Sequence, residues 1–135
     1  MPFGAQVVDD EHTRFRLWAP SAHSVELVLS DTNGERTLDM PADRAGWREL
    51  VAHAHAGARY RYRIEGTLEV PDPASRYNPE DVHGPSVVID PRSYDWPDAS
   101  WQGRSWQETV IYELHVGTFS PEGSFAGVER RLDYL

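Results

Sequence analysis

The sequence predicts an all-β domain, an immunoglobulin-like antiparallel β-sandwich, followed by one C-terminal strand–helix unit. Three observations predict it. Apolar residues alternate with polar ones in several short runs of the first two-thirds. Turn-forming clusters punctuate those runs at regular spacing. A helical period appears only after about residue 124. Alternation of period two marks a half-buried strand, and many short strands with frequent turns mark a sandwich.

The first run is Thr13 to Trp18, with Phe15 and Leu17 on one face and Arg14 and Arg16 on the other. Ala19-Pro20-Ser21-Ala22 turns the chain, since Pro20 fixes φ and ends the strand. Ser24 to Ser30 follows, with Val25, Leu27 and Leu29 sharing a face. Asp31-Thr32-Asn33-Gly34 is a hairpin signal, because Asn-Gly accepts positive φ, and Leu38 to Met40 is expected as the return strand.

Trp47 to Ala52 is extended after the turn Asp43-Arg44-Ala45-Gly46. Arg59 to Glu65 alternates throughout, with Tyr60, Tyr62 and Ile64 on one side, which assigns the two tyrosines to the core and leaves Trp47 open. A proline-dense stretch then runs from Val70 to Pro85, and Val87-Val88-Ile89 is read as a short strand. So long a loop is usually functional or packed on another body.

Beyond residue 90 the texture changes. Pro91 to Gln107 reads as a connector between domains, with Trp96, Trp101 and Trp106 equally spaced along it. Val110 to Val116 is a near-continuous run, as in a strand covered on both faces. Gly117 to Gly123 is read as a loop. Ser124 is the expected N-cap of a helix that aligns Phe125, Val128, Leu132 and Leu135. The expected organisation is residues 1–90 as the sandwich, 91–109 as the connector and 110–135 as the first unit of a β/α architecture. One such unit cannot bury its own faces.

Composition narrows the partners. The chain has 135 residues and a formal net charge of −9, with thirteen cationic residues, all arginine. An acidic surface without a basic stripe argues against nucleic acid and against anionic membranes. With no cysteine, thiolate metal sites, disulfides and cysteine nucleophiles are excluded. The N-terminus shows no signal-peptide pattern, so a cytoplasmic location is expected. Aromatic residues make up 11% of the chain, a content that suits both a packed β domain and sugar binding.

Three segments carry a resemblance. Phe15-Arg16-Leu17-Trp18-Ala19-Pro20 resembles the early strand of isoamylases, glycogen branching enzymes and trehalohydrolases. Val70-Pro71-Asp72-Pro73-Ala74-Ser75-Arg76-Tyr77, with Val82-His83-Gly84-Pro85-Ser86, resembles malto-oligosyltrehalose trehalohydrolases more narrowly. Tyr112 to Phe125 resembles the first barrel strand and loop of the same group within the α-amylase superfamily. The resemblance runs along essentially the whole chain. It implies an E-set sandwich ahead of a TIM-barrel remnant, with the catalytic barrel of the same chain as partner. The implied substrate is an α-glucan or maltooligosyl trehalose, whose α-1,4 bond next to the trehalose end is cleaved by a retaining two-carboxylate mechanism.

No catalytic residue is expected in this chain, because the implied catalytic groups stand on later barrel strands. Glu113 and Glu122 are read as structural carboxylates. In the intact enzyme the resemblance implies His115, at the end of the first barrel strand, and Gly117, Thr118 and Phe119, in the loop that follows, as substrate-proximal residues, with packing inside the barrel the stronger reading for His115. Trp96, Trp101 and Trp106 are candidates for sugar or interdomain contacts, with interdomain anchoring the stronger reading. No metal or cofactor is expected: His53 and His55 lack a third ligand, and Asp9-Asp10-Glu11 lacks the oxygen spacing of a calcium loop. Three functions stay open, namely an enzyme's accessory domain, a stand-alone α-glucan-binding module and a purely structural sandwich. The N-terminal domain of a branching or debranching enzyme is the sister reading.

Overall fold

The computed structural model describes residues 3–32 and 34–135. Asn33 of the expected hairpin turn lies outside the described residues, but the hairpin itself is present. The chain forms two compact units that divide after Asp95.

Among its described residues the first unit holds eight strands: β1 (Gly4–Val7), β2 (His12–Trp18), β3 (Val25–Asp31), β4 (Gly34–Asp39), β5 (Trp47–His53), β6 (Arg59–Ile64), β7 (Leu68–Val70) and β8 (Ser86–Val87). They form two antiparallel sheets. The smaller has the order β1-β2-β5. The larger runs β4-β3-β6, with β7 and β8 sharing the far edge of β6. β7 pairs with Tyr62 to Ile64, and β8 with Arg59 and Tyr60.

Side-chain parity explains the core. On β2, Thr13, Phe15 and Leu17 point inward and the intervening residues outward. On β3, Val25, Leu27 and Leu29 are buried, and on β6 so are Tyr60 and Tyr62. Phe15 meets Tyr60 edge to face at 5.0 Å, and Tyr60 meets Tyr62 at 6.0 Å. Such geometry matches the positive edge of one ring to the negative face of the next. Met40, Ala54, Ala58 and Val88 close the core from the loops.

Several expectations need correction. β4 begins at Gly34, well before Leu38, and ends at Asp39; Met40 follows it, its amide still donating to the Val25 carbonyl at 2.9 Å while its side chain is buried in the core. The last strand of the unit is Ser86–Val87, with Val88 buried just beyond it. β1 and β7 arise where no strand is expected; both are edge strands held by a neighbour's alternation more than by their own.

The second unit, Trp96–Leu135, is mainly short turns. The run from Val110 to His115 joins no sheet, and Val116 opens a short helix, α1 (Val116–Phe119). A parallel strand needs neighbours to complete its ladder, and the described residues of this unit form no strand. Gly117, Thr118 and Phe119 are therefore helical, where a loop is expected. Ser124 caps α2 (Phe125–Glu129), its hydroxyl accepting from the Gly127 amide at 3.2 Å. The expected apolar helical face is open to solvent, with Phe125, Leu132 and Leu135 exposed. No helix among the described residues is long and apolar enough to cross a membrane.

Candidate functional site

The two outer faces of the sandwich differ in chemistry. On the larger sheet, β6 turns Arg59, Arg61 and Arg63 outward, and each is met by a carboxylate. Arg63 lies 2.7 Å from Glu69 and 3.7 Å from Glu26, Arg61 lies 3.3 Å from Glu69, and Arg59 pairs with Glu80. The Arg63 hydrogen bonds hold the Glu69 carboxyl below its ordinary range. This face is a solvated ion-pair network, each pair of small worth.

The smaller sheet carries the aromatics. Parity places His12, Arg14, Arg16 and Trp18 outward on β2, and the register sets them opposite His53, Val51, Glu49 and Trp47 of β5. Arg16 stacks its guanidinium 4.3 Å from the centre of the Trp47 ring and pairs with Glu49 at 3.1 Å. Phe3 lies parallel to the same ring at 6.4 Å. Trp18 stays 59% exposed, and its indole N–H donates to the Ala45 carbonyl at 3.1 Å. The edge of that ring is therefore fixed and its face is open.

The turn that supplies Ala45 is tightly specified. Asp43 Oδ1 accepts from the Ala45 and Trp47 amides at 2.8 and 2.9 Å. Gly46 adopts φ +83°, and a Cβ there would stand 2.6 Å from Pro20 Cβ. Only glycine lets the turn press against the proline that ends the strand of Trp18.

The proline-rich loop stands beside Trp18 because of Asp72. That carboxylate is buried, accepting from the Tyr60 phenol at 2.8 Å, the Tyr62 phenol at 3.3 Å and the Ala74 amide at 2.8 Å. Its own amide donates to Ser86 Oγ at 3.0 Å. Burial, and then the Asp72 charge, push both phenols above their ordinary pKa.

Two clefts result. One, of about 380 Å³, lies among Phe3, Trp18, Trp47 and Ala74. The other, of about 830 Å³, runs past Pro20, Ile64, Val70 and Pro71. Trp18, Leu17 and Pro73 line both. The only carboxylate lining the smaller cleft is Asp72, whose oxygens are already committed, so no acid–base pair is assembled there among the described residues.

The residues singled out in the sequence lie elsewhere. His115, Gly117, Thr118 and Phe119 gather at α1, with Thr118 Oγ1 3.4 Å from His115 Nδ1. Trp96, Trp101 and Trp106 are exposed along the second unit, and Arg104 lies 5.7 Å over the Trp101 ring. Glu122 pairs with Arg130 at 2.8 Å, a hydrogen bond that lowers its pKa to about 2, while Glu113 is exposed. His53 faces His12 across the strands at 5.9 Å, and His55 sits in the following turn. No group of three or more metal-ligating side chains is found among the described residues. Trp18 was not a sequence candidate, yet its parity with Arg14 and Arg16 already placed it outward.

Comparison with known proteins agrees with this architecture. Residues 2–91 match the model of carbohydrate-binding module 48, the isoamylase N-terminal domain. A malto-oligosyltrehalose trehalohydrolase of Rhizobium sp. (strain M-11) is 43% identical over 126 residues, covering 90% of this chain and 21% of that protein. The trehalohydrolase of Saccharolobus solfataricus is 40% identical across 100% of this chain and 23% of its own length. A crystal structure of a putative α-amylase from Salmonella typhimurium superposes with a TM-score of 0.83 at 40% identity, over 98% of this chain and 22% of that one. The chain thus spans about a fifth of the length of the curated relatives it matches. With the sandwich and the family match both in hand, the chain belongs to the carbohydrate-binding module 48 family, the N-terminal domain of isoamylase-type proteins.

Proposed function

We propose that this chain is the N-terminal accessory region of a retaining glycoside hydrolase that releases trehalose from maltooligosyl trehalose. The observation that carries this reading is the 40–43% identity to trehalohydrolases along nine-tenths or more of the chain. In this reading residues 1–90 are the accessory sandwich, 91–109 the connector and 110–135 the first β/α unit. The Val110 run becomes a strand only beside its barrel neighbours. His115, Gly117, Thr118 and Phe119 then approach the substrate from the first barrel loop.

The chain supplies position and shape, and the later barrel strands supply the two carboxylates, which a retaining enzyme sets about 5–5.5 Å apart. The 135-residue chain is accordingly inactive by itself. Purified chain and intact enzyme are incubated with maltooligosyl trehalose, and free trehalose is measured. Release by the intact enzyme alone is the expected result. Release by the chain, or none by the intact enzyme, contradicts the reading.

A stand-alone α-glucan-binding module is the second reading, favoured by the open face of Trp18 beside Trp47. It requires that maltoheptaose at millimolar concentration shift the indole signals of those two residues in the chain. A branching or debranching parent would instead yield no trehalose and act on α-1,6 branch points.

A further inference from the structure

We propose that the ridge formed by Trp18 and Pro73, with the cleft on each side of it, is the seat on which the catalytic barrel of the same polypeptide packs. This rests on the accessory-domain reading above and deepens it by naming the contact surface.

The chemistry of the lining selects the kind of occupant. A sugar site sets a few convergent polar groups into an apolar wall, to bind hydroxyls. Here the larger cleft is walled chiefly by Pro20, Ile64, Val70, Pro71 and Pro73, with Ser21 the one hydroxyl side chain among its lining residues. Glu65 at its rim already accepts the His23 amide at 2.7 Å. In the smaller cleft the Asp72 oxygens are taken by two phenols and the Ala74 amide, and Arg16 is engaged with Trp47 and Glu49. Little is left to read a hydroxyl pattern. Apolar side chains of another protein surface suit the site better, since contiguous exposed apolar surface marks an interaction face.

The length of the relatives selects the particular protein. This chain accounts for 21–23% of them, so nearly four-fifths of such a polypeptide is tethered to the sandwich. Tethering supplies an effective concentration in the millimolar range, and a modest apolar groove then suffices for stable docking. The seat is also built to be rigid. Trp18 is held by Ala45, Gly46 is pressed on Pro20, and the loop bearing Pro73 is tied to the core through Asp72. A preformed surface loses little entropy on docking.

Hydroxyl-radical footprinting with residue-level mass spectrometry tests this on the 135-residue chain and the intact enzyme. Trp18 oxidation is expected to fall at least about fivefold in the intact enzyme, as burial in an interface core requires. Leu68, exposed on the other sheet, stays equally labelled. Equal labelling of Trp18 in both samples overturns the proposal. So does protection of Trp18 in the chain alone, whether by maltoheptaose or by raised chain concentration; the first assigns the ridge to glucan, the second to another copy. A Trp18→Asp variant gives a second readout. It is expected to lower the melting of the chain by no more than a few degrees and to split thermal unfolding of the intact enzyme into two transitions. One unshifted transition counts against docking. Trehalose release, assayed on the same intact sample, reports separately on the enzyme reading: release without protection of Trp18 removes the seat and keeps the enzyme.

Discussion

One carboxylate, that of Asp72, serves both buried phenols of β6, standing 2.8 Å from Tyr60 and 3.3 Å from Tyr62. It also holds the Ala74 amide, so a single side chain ties the proline-rich loop to the centre of the core. Asp72→Ala leaves two buried hydroxyls without their acceptor and frees the loop. A loss of about 3 kcal/mol is expected, since each unsatisfied buried group costs roughly 1–3 kcal/mol. Urea unfolding measures it, and a loss below about 1 kcal/mol would mean that water replaces the carboxylate.

The same pair of phenols sets an alkaline limit. Both folded pKa values are raised, by burial first and by the Asp72 charge second. Their contribution to stability is complete below the unfolded tyrosine value of about 10 and is lost as pH rises beyond it, because only the unfolded chain releases those protons. Phenolate absorbance should show two of the six tyrosines silent until the chain unfolds. Six tyrosines titrating together in the folded chain would contradict this.

Gly46→Ala is expected to destabilise. The new Cβ would stand 2.6 Å from Pro20 Cβ and 2.7 Å from its Cα, at a φ of +83°. Both the clash and the backbone strain act in one direction, and a cost of about 2–3 kcal/mol is expected. A melting temperature equal to that of the parent chain would show that the turn can shift without loss.

Two neighbours on β2 should behave oppositely in the 135-residue chain. Phe15 is fully buried against Tyr60, so Phe15→Ala should cost about 3–5 kcal/mol. Trp18 is largely exposed, so Trp18→Ala should cost less than about 1 kcal/mol. Chemical denaturation of both variants decides the matter. A large loss at Trp18 would place its packing inside the sandwich.

Alternation makes β2, β3 and β6 legible, because a strand with one buried face writes its parity into the chain, and the turn from Asp43 to Gly46 marks the start of β5. It did not reveal β1 or β7. Gly4–Val7 and Leu68–Val70 are short edge strands, and their pairing depends on β2 and β6. The apolar run at Val110 was misleading for the converse reason: periodicity reports what a segment can bury, and cannot report whether neighbours are there to complete a ladder. The site was partly legible. The Val70 to Pro85 loop stands out by its prolines, whereas no pattern in the sequence decides whether Trp47 faces core or surface. Asp72 looked like one acidic residue among many until the fold set it beneath two phenols.

The split edge of the larger sheet bears on how concentrated solutions of the chain behave. β7 and β8 each cover half of β6, and the loop between them carries Pro71, Pro73, Pro79 and Pro85. On the opposite edge, β4 bears Glu35, Arg36 and Asp39. Neither border presents a long, flat, apolar row of free amides and carbonyls, which is what a second chain needs to add a strand. Strand addition to the larger sheet is thereby obstructed on both sides, and a second chain is left only the edges of β1 and β5 on the smaller sheet.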